Sequence, residues 1–98
     1  MRLGELWRYA PPSSPRHRVV VIVSSDGIND SARPWLIASD VHPEDPEDIL
    51  TVPVDGHGWV NAADLSRVYR PWLTEHVDTV DAATRERLDT AIRAALDL

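Results

Sequence analysis

Three side chains suited to chemistry on a phosphate or a proton stand side by side near the start of the chain: Arg16, His17 and Arg18. A guanidinium group is permanently charged and can fork onto two phosphate oxygens, and an imidazole titrates near neutral pH and can act as an acid or a base. The alternatives are that Arg18 caps a strand edge at the surface and that His17 is an ordinary loop residue. Both interpretations of Arg18 stay open, and for His17 we favour the ordinary one.

The composition excludes several other kinds of site. The chain has no cysteine, which rules out disulfides, thiolate metal ligands and cysteine nucleophiles. The other three histidines, His42, His57 and His76, have no spacing typical of a metal site. We therefore predict that the protein uses no metal and no other cofactor.

The charge of the chain limits where a nucleic acid could bind. The formal net charge is −6, and all 10 basic residues are arginine. Residues 1–25 hold four arginines and one glutamate, a net charge of +3, and the rest of the chain is acidic. Because phosphate affinity comes mostly from cationic contacts, an RNA would have to bind at this basic end. For most of the acidic residues the favoured interpretation is a solvated surface that keeps the protein soluble.

The length of 98 residues predicts one domain, over residues 1–98. No apolar run approaches the roughly 20 residues that cross a bilayer, and the first residues lack the apolar core of a signal peptide. We predict a cytoplasmic protein with no membrane partner.

Short apolar segments bounded by turn residues predict a mainly β protein. The run at 19–24 is β-branched and is typical of a strand buried on both faces. Four more strands are expected, with a short sixth: 3–9, 34–38, 49–54, 59–65 and 68–69. A proline-rich loop at 10–15, a turn at Asp26 and Gly27 and an acidic loop at 42–48 separate the strands.

The end of the chain has helical rather than strand periodicity. Asp81 can cap a helix over residues 82–98, which would pack through Leu88, Ile92 and Leu96. Five or six short strands followed by such a helix predict a small barrel or sandwich. Among the four tryptophans we expect Trp7 and Trp35 in the core, and Trp59 and Trp72 partly exposed in contact with a partner.

Four segments, in order along the whole chain, resemble the MazF/PemK family of toxins from type II toxin–antitoxin systems. Residues 2–7 (RLGELW) resemble its R-x-G-E-(I/V)-W opening, and residues 16–25 (RHRVVVIVSS) its K-x-R-P-(V/A)-V-V-V-S segment. Residues 62–67 lie where the family has a (D/E)-Q-(I/V)-R-T strand, and the helix ending AALDL is similar to its closing pattern. The resemblance implies an SH3-like β-barrel of the CcdB/MazF type, a homodimer, a cognate antitoxin and metal-independent cleavage of single-stranded RNA.

The resemblance also implies site residues. Arg18 occupies the family's catalytic arginine position, and Ser39 is the hydroxyl nearest to the position of its catalytic threonine, where Asp40 or Val41 falls in an ungapped alignment. Arg16 and His17 would contact the RNA. Ser39 could instead make a local turn bond, and Asp40 would repel a phosphate unless it paired with Arg18, which would hold the arginine away from RNA. The rival hypothesis is a non-catalytic barrel that binds a partner protein, as the related CcdB toxins bind gyrase.

Overall fold

The computed structural model describes residues 1–98 as a curled antiparallel sheet with a helix at its end. The strands and helices, in chain order, are β1 (Glu5–Tyr9), β2 (Arg18–Ile22), α1 (Asp26–Asn29), β3 (Trp35–His42), β4 (Thr51–Val54), β5 (Gly58–Asn61), β6 (Ser66–Tyr69), a 3₁₀ turn (Arg70–Trp72), β7 (Leu73–Thr79) and α2 (Ala82–Leu96). The predicted fold class, a small mainly β barrel with a C-terminal helix, is confirmed. None of the helices has the length and apolar character needed to cross a membrane.

The long strand β3 joins the two parts of the sheet. The strand order is β4-β5-β3-β2-β1-β7, and every pairing is antiparallel. One edge of β3 pairs with β2, while the opposite edge pairs first with β6 and then with β5. This sharing bends the sheet into a half-barrel and brings the end of β3 beside the start of β2.

Strand β2 is buried on both faces, as its β-branched run predicts. Val20 and Ile22 belong to one apolar cluster, and Val21 belongs to a second cluster on the other face. The second cluster contains Leu88 of α2, together with side chains from β1, β4 and β5. The helix and the β4–β5 hairpin therefore cover one face of the sheet.

The structure differs from the predicted strands and turns in several places. The protein has seven strands rather than five or six, because β7 pairs with β1 along the edge of the sheet. Only Leu73 of β7 is buried, so its sequence lacks the apolar alternation of a half-buried strand. Strand β3 extends to His42 instead of ending at residue 38, and Asp26 begins a short helix rather than a simple turn.

Helix α2 begins at the predicted cap and packs through fewer residues than expected. The backbone N–H of Thr84 donates to Asp81 Oδ1 at 2.7 Å, which confirms the cap. Leu88 is buried and Ile92 is half-buried, but Leu96 is 53% exposed, so its predicted packing is wrong. The last turn of the helix, 93–96, contains no buried residue.

The cap predicts how stability depends on acidity. The hydrogen bond from the Thr84 backbone holds the pKa of Asp81 below its ordinary value of 3.8. A lowered folded pKa means that this contribution to stability is present above the ordinary value and is lost as the pH falls through the folded value. Asn in place of Asp81 keeps an acceptor but does not titrate. We expect the difference in Tm between wild type and Asp81→Asn to shrink between about pH 5 and about pH 2, as measured by circular dichroism; a constant difference would contradict the assignment.

Arg70 fastens the segment after α1 to the end of β6. Its guanidinium donates to the carbonyl oxygens of Asn29 at 2.8 Å, Ser31 at 3.2 Å and Arg33 at 3.0 Å. No carboxylate pairs with it. These contacts join residues about forty positions apart. The single guanidinium supplies hydrogen bonds to backbone carbonyls that lie outside the strands of the sheet.

Removing this fork is expected to destabilise the protein. We expect Arg70→Ala to lower the free energy of unfolding by about 2–3 kcal/mol, since hydrogen bonds from a charged donor contribute about 1.5–3 kcal/mol. Arg67→Ala is the matched control on the preceding strand β6, because Arg67 only stacks on Trp35, 4.9 Å from the ring centroid, and should cost less than about 1 kcal/mol. Urea denaturation measures both. Equal losses for the two variants would show that the carbonyl contacts do not stabilise the fold.

Candidate functional site

Arg18 begins β2 and lies beside Asp40 of β3. The register of the sheet, which places Val20 opposite Asp40, brings the two side chains together. Arg18 Nε donates to Asp40 Oδ1 at 2.8 Å, so the pairing that the sequence left open is present. The side chain of Arg18 is still 41% exposed, and its two terminal nitrogens make no hydrogen bond within the chain. The pair therefore uses one donor of the guanidinium and leaves the fork unused.

The aromatic ring of Tyr9 packs against the same guanidinium. The central carbon of the Arg18 guanidinium lies 4.9 Å from the centroid of the Tyr9 ring, and Tyr9 itself is only 4% exposed. The Tyr9 hydroxyl accepts a hydrogen bond from the backbone N–H of Tyr69 at 2.9 Å. Sequence reasoning missed Tyr9, because its residue type and position fit an ordinary alternating strand.

Ser39 cannot reach a phosphate in this structure, so its predicted role is corrected. The residue is 1% exposed, and its hydroxyl lies 2.9 Å from the carbonyl oxygen of Asp64 and 3.2 Å from that of Asn61. Successive side chains on a strand point to opposite faces, which places Ser39 on the face away from Asp40. The alternative of a local turn bond is wrong too, since the hydroxyl joins β3 to the loop after β5.

Arg16 and His17 remain predictions as RNA contacts. Both are exposed in the loop before β2, and the backbone N–H of Arg16 donates to Ser14 Oγ at 3.3 Å. Asp40, the partner of Arg18, lines a shallow pocket of about 230 Å³ together with Asp64 and His42, so two carboxylates lie on this side of the arginine. An anion would therefore approach Arg18 from the side of Arg16 and His17.

A second polar cluster lies at the far end of the sheet and has a structural explanation. His57 Nε2 is 2.8 Å from Asp78 Oδ2, which joins the turn between β4 and β5 to β7. The hydrogen bond from His57 lowers the pKa of Asp78. No group of three His, Asp or Glu side chains converges on a point where a metal ion could bind, and the absence of a metal stays a prediction.

The tryptophans differ from the prediction at two positions. Trp59 and Trp72 are half-buried as predicted, but Trp7 is half-buried against the edge of the core and Trp35 is 36% exposed, so neither belongs to the buried core. Trp35 lies on the outer face of β3 next to Ile37, which is 37% exposed. The hairpin and α2 cover only the second half of β3, so this apolar pair stays open to solvent.

The architecture is that of the MazF toxins. No family model matches the sequence, and no curated protein matches it. Among solved structures, an endoribonuclease in complex with its cognate antitoxin from a mycobacterial species is 20% identical, covers 100% of this chain and 96% of its own, and superposes with a TM-score of 0.87. MazF of the MazE–MazF complex from Deinococcus radiodurans is 14% identical with the same coverages and a TM-score of 0.84.

A third similar structure is the Mycobacterium tuberculosis toxin MazF-mt6. It is 16% identical, covers 96% of this chain and 97% of its own, and has a TM-score of 0.79. Three structures with this extent of coverage show that the whole described chain has the MazF fold, which confirms the resemblance seen in the sequence segments.

Proposed function

We propose that this chain is the toxin of a type II toxin–antitoxin pair and that it cleaves single-stranded RNA without a metal ion. The observation that carries the proposal is the exposed guanidinium of Arg18 at the start of β2, with both terminal nitrogens unpaired, on a MazF fold. The proposal treats residues 1–98 as one MazF-like unit that acts in the cytoplasm.

The proposed reaction uses the RNA's own 2′-hydroxyl as the nucleophile. The protein must assist its deprotonation, stabilise the charge on the phosphorane and protonate the leaving oxygen. Arg18 performs the second task, because its free fork matches two phosphate oxygens. We assign the proton transfer to His17, the residue that precedes Arg18 in the chain, because an imidazole can act as an acid or a base. Burial of Ser39 removes the hydroxyl that the resemblance offered as a second phosphate donor.

The proposal includes a cognate antitoxin, because two of the similar structures are complexes of a toxin with its antitoxin. Induced expression in bacteria tests both parts. Wild type should arrest growth and degrade cellular RNA, Arg18→Ala should do neither, and co-expression of the neighbouring gene's product should restore growth. Arrest with intact RNA would support the rival, a barrel that blocks a partner protein.

We also propose that the toxin is a homodimer. The uncovered apolar pair of Trp35 and Ile37 offers a candidate surface for self-association, while residues 44–48 of the acidic loop are exposed. We expect sedimentation to report twice the chain mass of 11.0 kDa at micromolar concentration. A species of 11.0 kDa alone would count against the dimer.

A further inference from the structure

An arginine that stabilises a transition state must be held in place before the substrate arrives. A guanidinium on an exposed, flexible side chain would have to lose its freedom during each reaction, whereas a preorganised one would not. The guanidinium of Arg18 is carried on a flexible stem of three methylene groups. Two neighbours nevertheless contact it: the ring of Tyr9 and the carboxylate of Asp40. The arrangement of these two contacts leaves the terminal nitrogens open.

We propose that Tyr9 and Asp40 are positioning residues that hold the Arg18 guanidinium ready for a phosphate. We call Tyr9 and Asp40 together the cradle of Arg18. The inference rests on the proposed function for its kinetic consequence only, since the cradle itself is a property of the free protein. Asp40 then has a role different from the one that the sequence suggests: it fixes the arginine through Nε instead of holding it away from RNA.

Tyr9 is suited to this task because it cannot move. Its ring is buried in an apolar cluster with Val20, Leu36 and Val68, and its hydroxyl accepts the N–H of Tyr69. In the register of the sheet Tyr9 lies directly opposite Arg18. A cation over the face of an aromatic ring is attracted to it, so a fixed ring defines one side of the guanidinium plane.

Asp40 supplies the second constraint and carries a cost. The single bond from Nε to Oδ1 fixes the rotation of the guanidinium, but the negative charge lies where an incoming phosphate would be repelled. Asn at this position keeps an acceptor for Nε and removes the charge, whereas Ala removes both. The two substitutions therefore separate positioning from repulsion.

The cradle can be tested in the free protein by NMR of the arginine Nε–H groups. The Arg18 signal is identified by its loss in Arg18→Lys. In wild type we expect an Nε–H proton shifted upfield by the Tyr9 ring and protected from exchange by Asp40. Tyr9→Phe should keep the upfield shift, and Tyr9→Leu should abolish it. A wild-type signal with the shift and fast exchange of a free arginine side chain would overturn the proposal.

Kinetics on single-stranded RNA provide the second test. We expect Tyr9→Leu to lower kcat by about ten- to a hundredfold with a small change in KM, because a misplacement of about 1 Å can cost about a hundredfold in rate. Tyr9→Phe should keep most of the wild-type kcat, because it keeps the aromatic ring. Leu36→Ala is the control for core damage, since Leu36 shares the cluster with Tyr9 but pairs with Val68 of β6 at the start of β3.

The Asp40 variants complete the design. We expect Asp40→Ala to lower kcat, and Asp40→Asn to restore kcat and lower KM for RNA. Equal kcat values for Tyr9→Leu and Leu36→Ala would show that Tyr9 acts only through stability and would overturn the proposal. If wild type cleaves no RNA, the proposed function fails, and the NMR result still decides whether the cradle exists.

Discussion

Replacing Arg18 by alanine is expected to lower kcat/KM for RNA cleavage by about a hundred- to a thousandfold, which corresponds to the loss of one preorganised donor to a developing charge, about 2.7–4 kcal/mol. No lysine exists in the chain to replace it, and Arg16, in the loop before β2, is the nearest other arginine in the sequence. Arg18→Lys should lose nearly as much, because an ammonium group is a point charge and cannot fork onto two oxygens. Initial rates on a defined single-stranded RNA measure both variants.

Ser39→Ala is the matched control for this prediction. The variant removes a buried hydroxyl that bonds to a backbone carbonyl, so it should lower the free energy of unfolding by about 1 kcal/mol and leave kcat near the wild-type value. Cleavage that survives in Arg18→Ala, or cleavage lost in Ser39→Ala at a temperature where it is folded, would contradict the site.

Replacing Gly58 by alanine is expected to cause the largest loss of stability. Gly58 has φ of +139°, and an added Cβ would lie 2.0 Å from the backbone oxygen of His42. A residue with a side chain is strained in this region by about 1–3 kcal/mol, and moving the backbone of β3 adds a cost of about 1–3 kcal/mol. We expect the free energy of unfolding to fall by about 2–6 kcal/mol, measured by urea denaturation.

Gly56→Ala separates the two causes. Gly56 has φ of +78°, but an added Cβ would meet nothing within 4 Å, so only the strain of a left-handed residue remains, about 1–2 kcal/mol. If Gly56→Ala destabilises the protein as much as Gly58→Ala, the close approach of β5 to the end of β3 is not what requires glycine.

Local patterns predicted much of the fold. The β-branched run at 19–24 gave β2 with both faces buried, and the spacing of Asp81 to the helical residues gave the start of α2. The pairing of Arg18 with Asp40 was only an alternative at that stage, because the aligned pattern did not give the register of β2 against β3. For β2 and for the start of α2, residues that are close in sequence determine the element.

The remaining features depend on contacts between distant parts of the chain. Strand β7 has few apolar residues because it lies at the edge of the sheet. The alternation of apolar and polar residues therefore could not predict it. The exposure of Trp35 follows from how far the hairpin and α2 extend over β3, and no local pattern encodes that. Tyr9 gains its place under Arg18 only when β1 and β2 pair.

The central claim is tested most directly by one measurement on the purified wild-type protein. Free of antitoxin, it is incubated with a long single-stranded RNA of diverse sequence in the presence of EDTA, and the products are resolved on a denaturing gel. The account predicts discrete cleavage products that accumulate with time in wild type and are absent in Arg18→Ala. An RNA that stays intact with wild type, or fragments that also appear with Arg18→Ala, would contradict it.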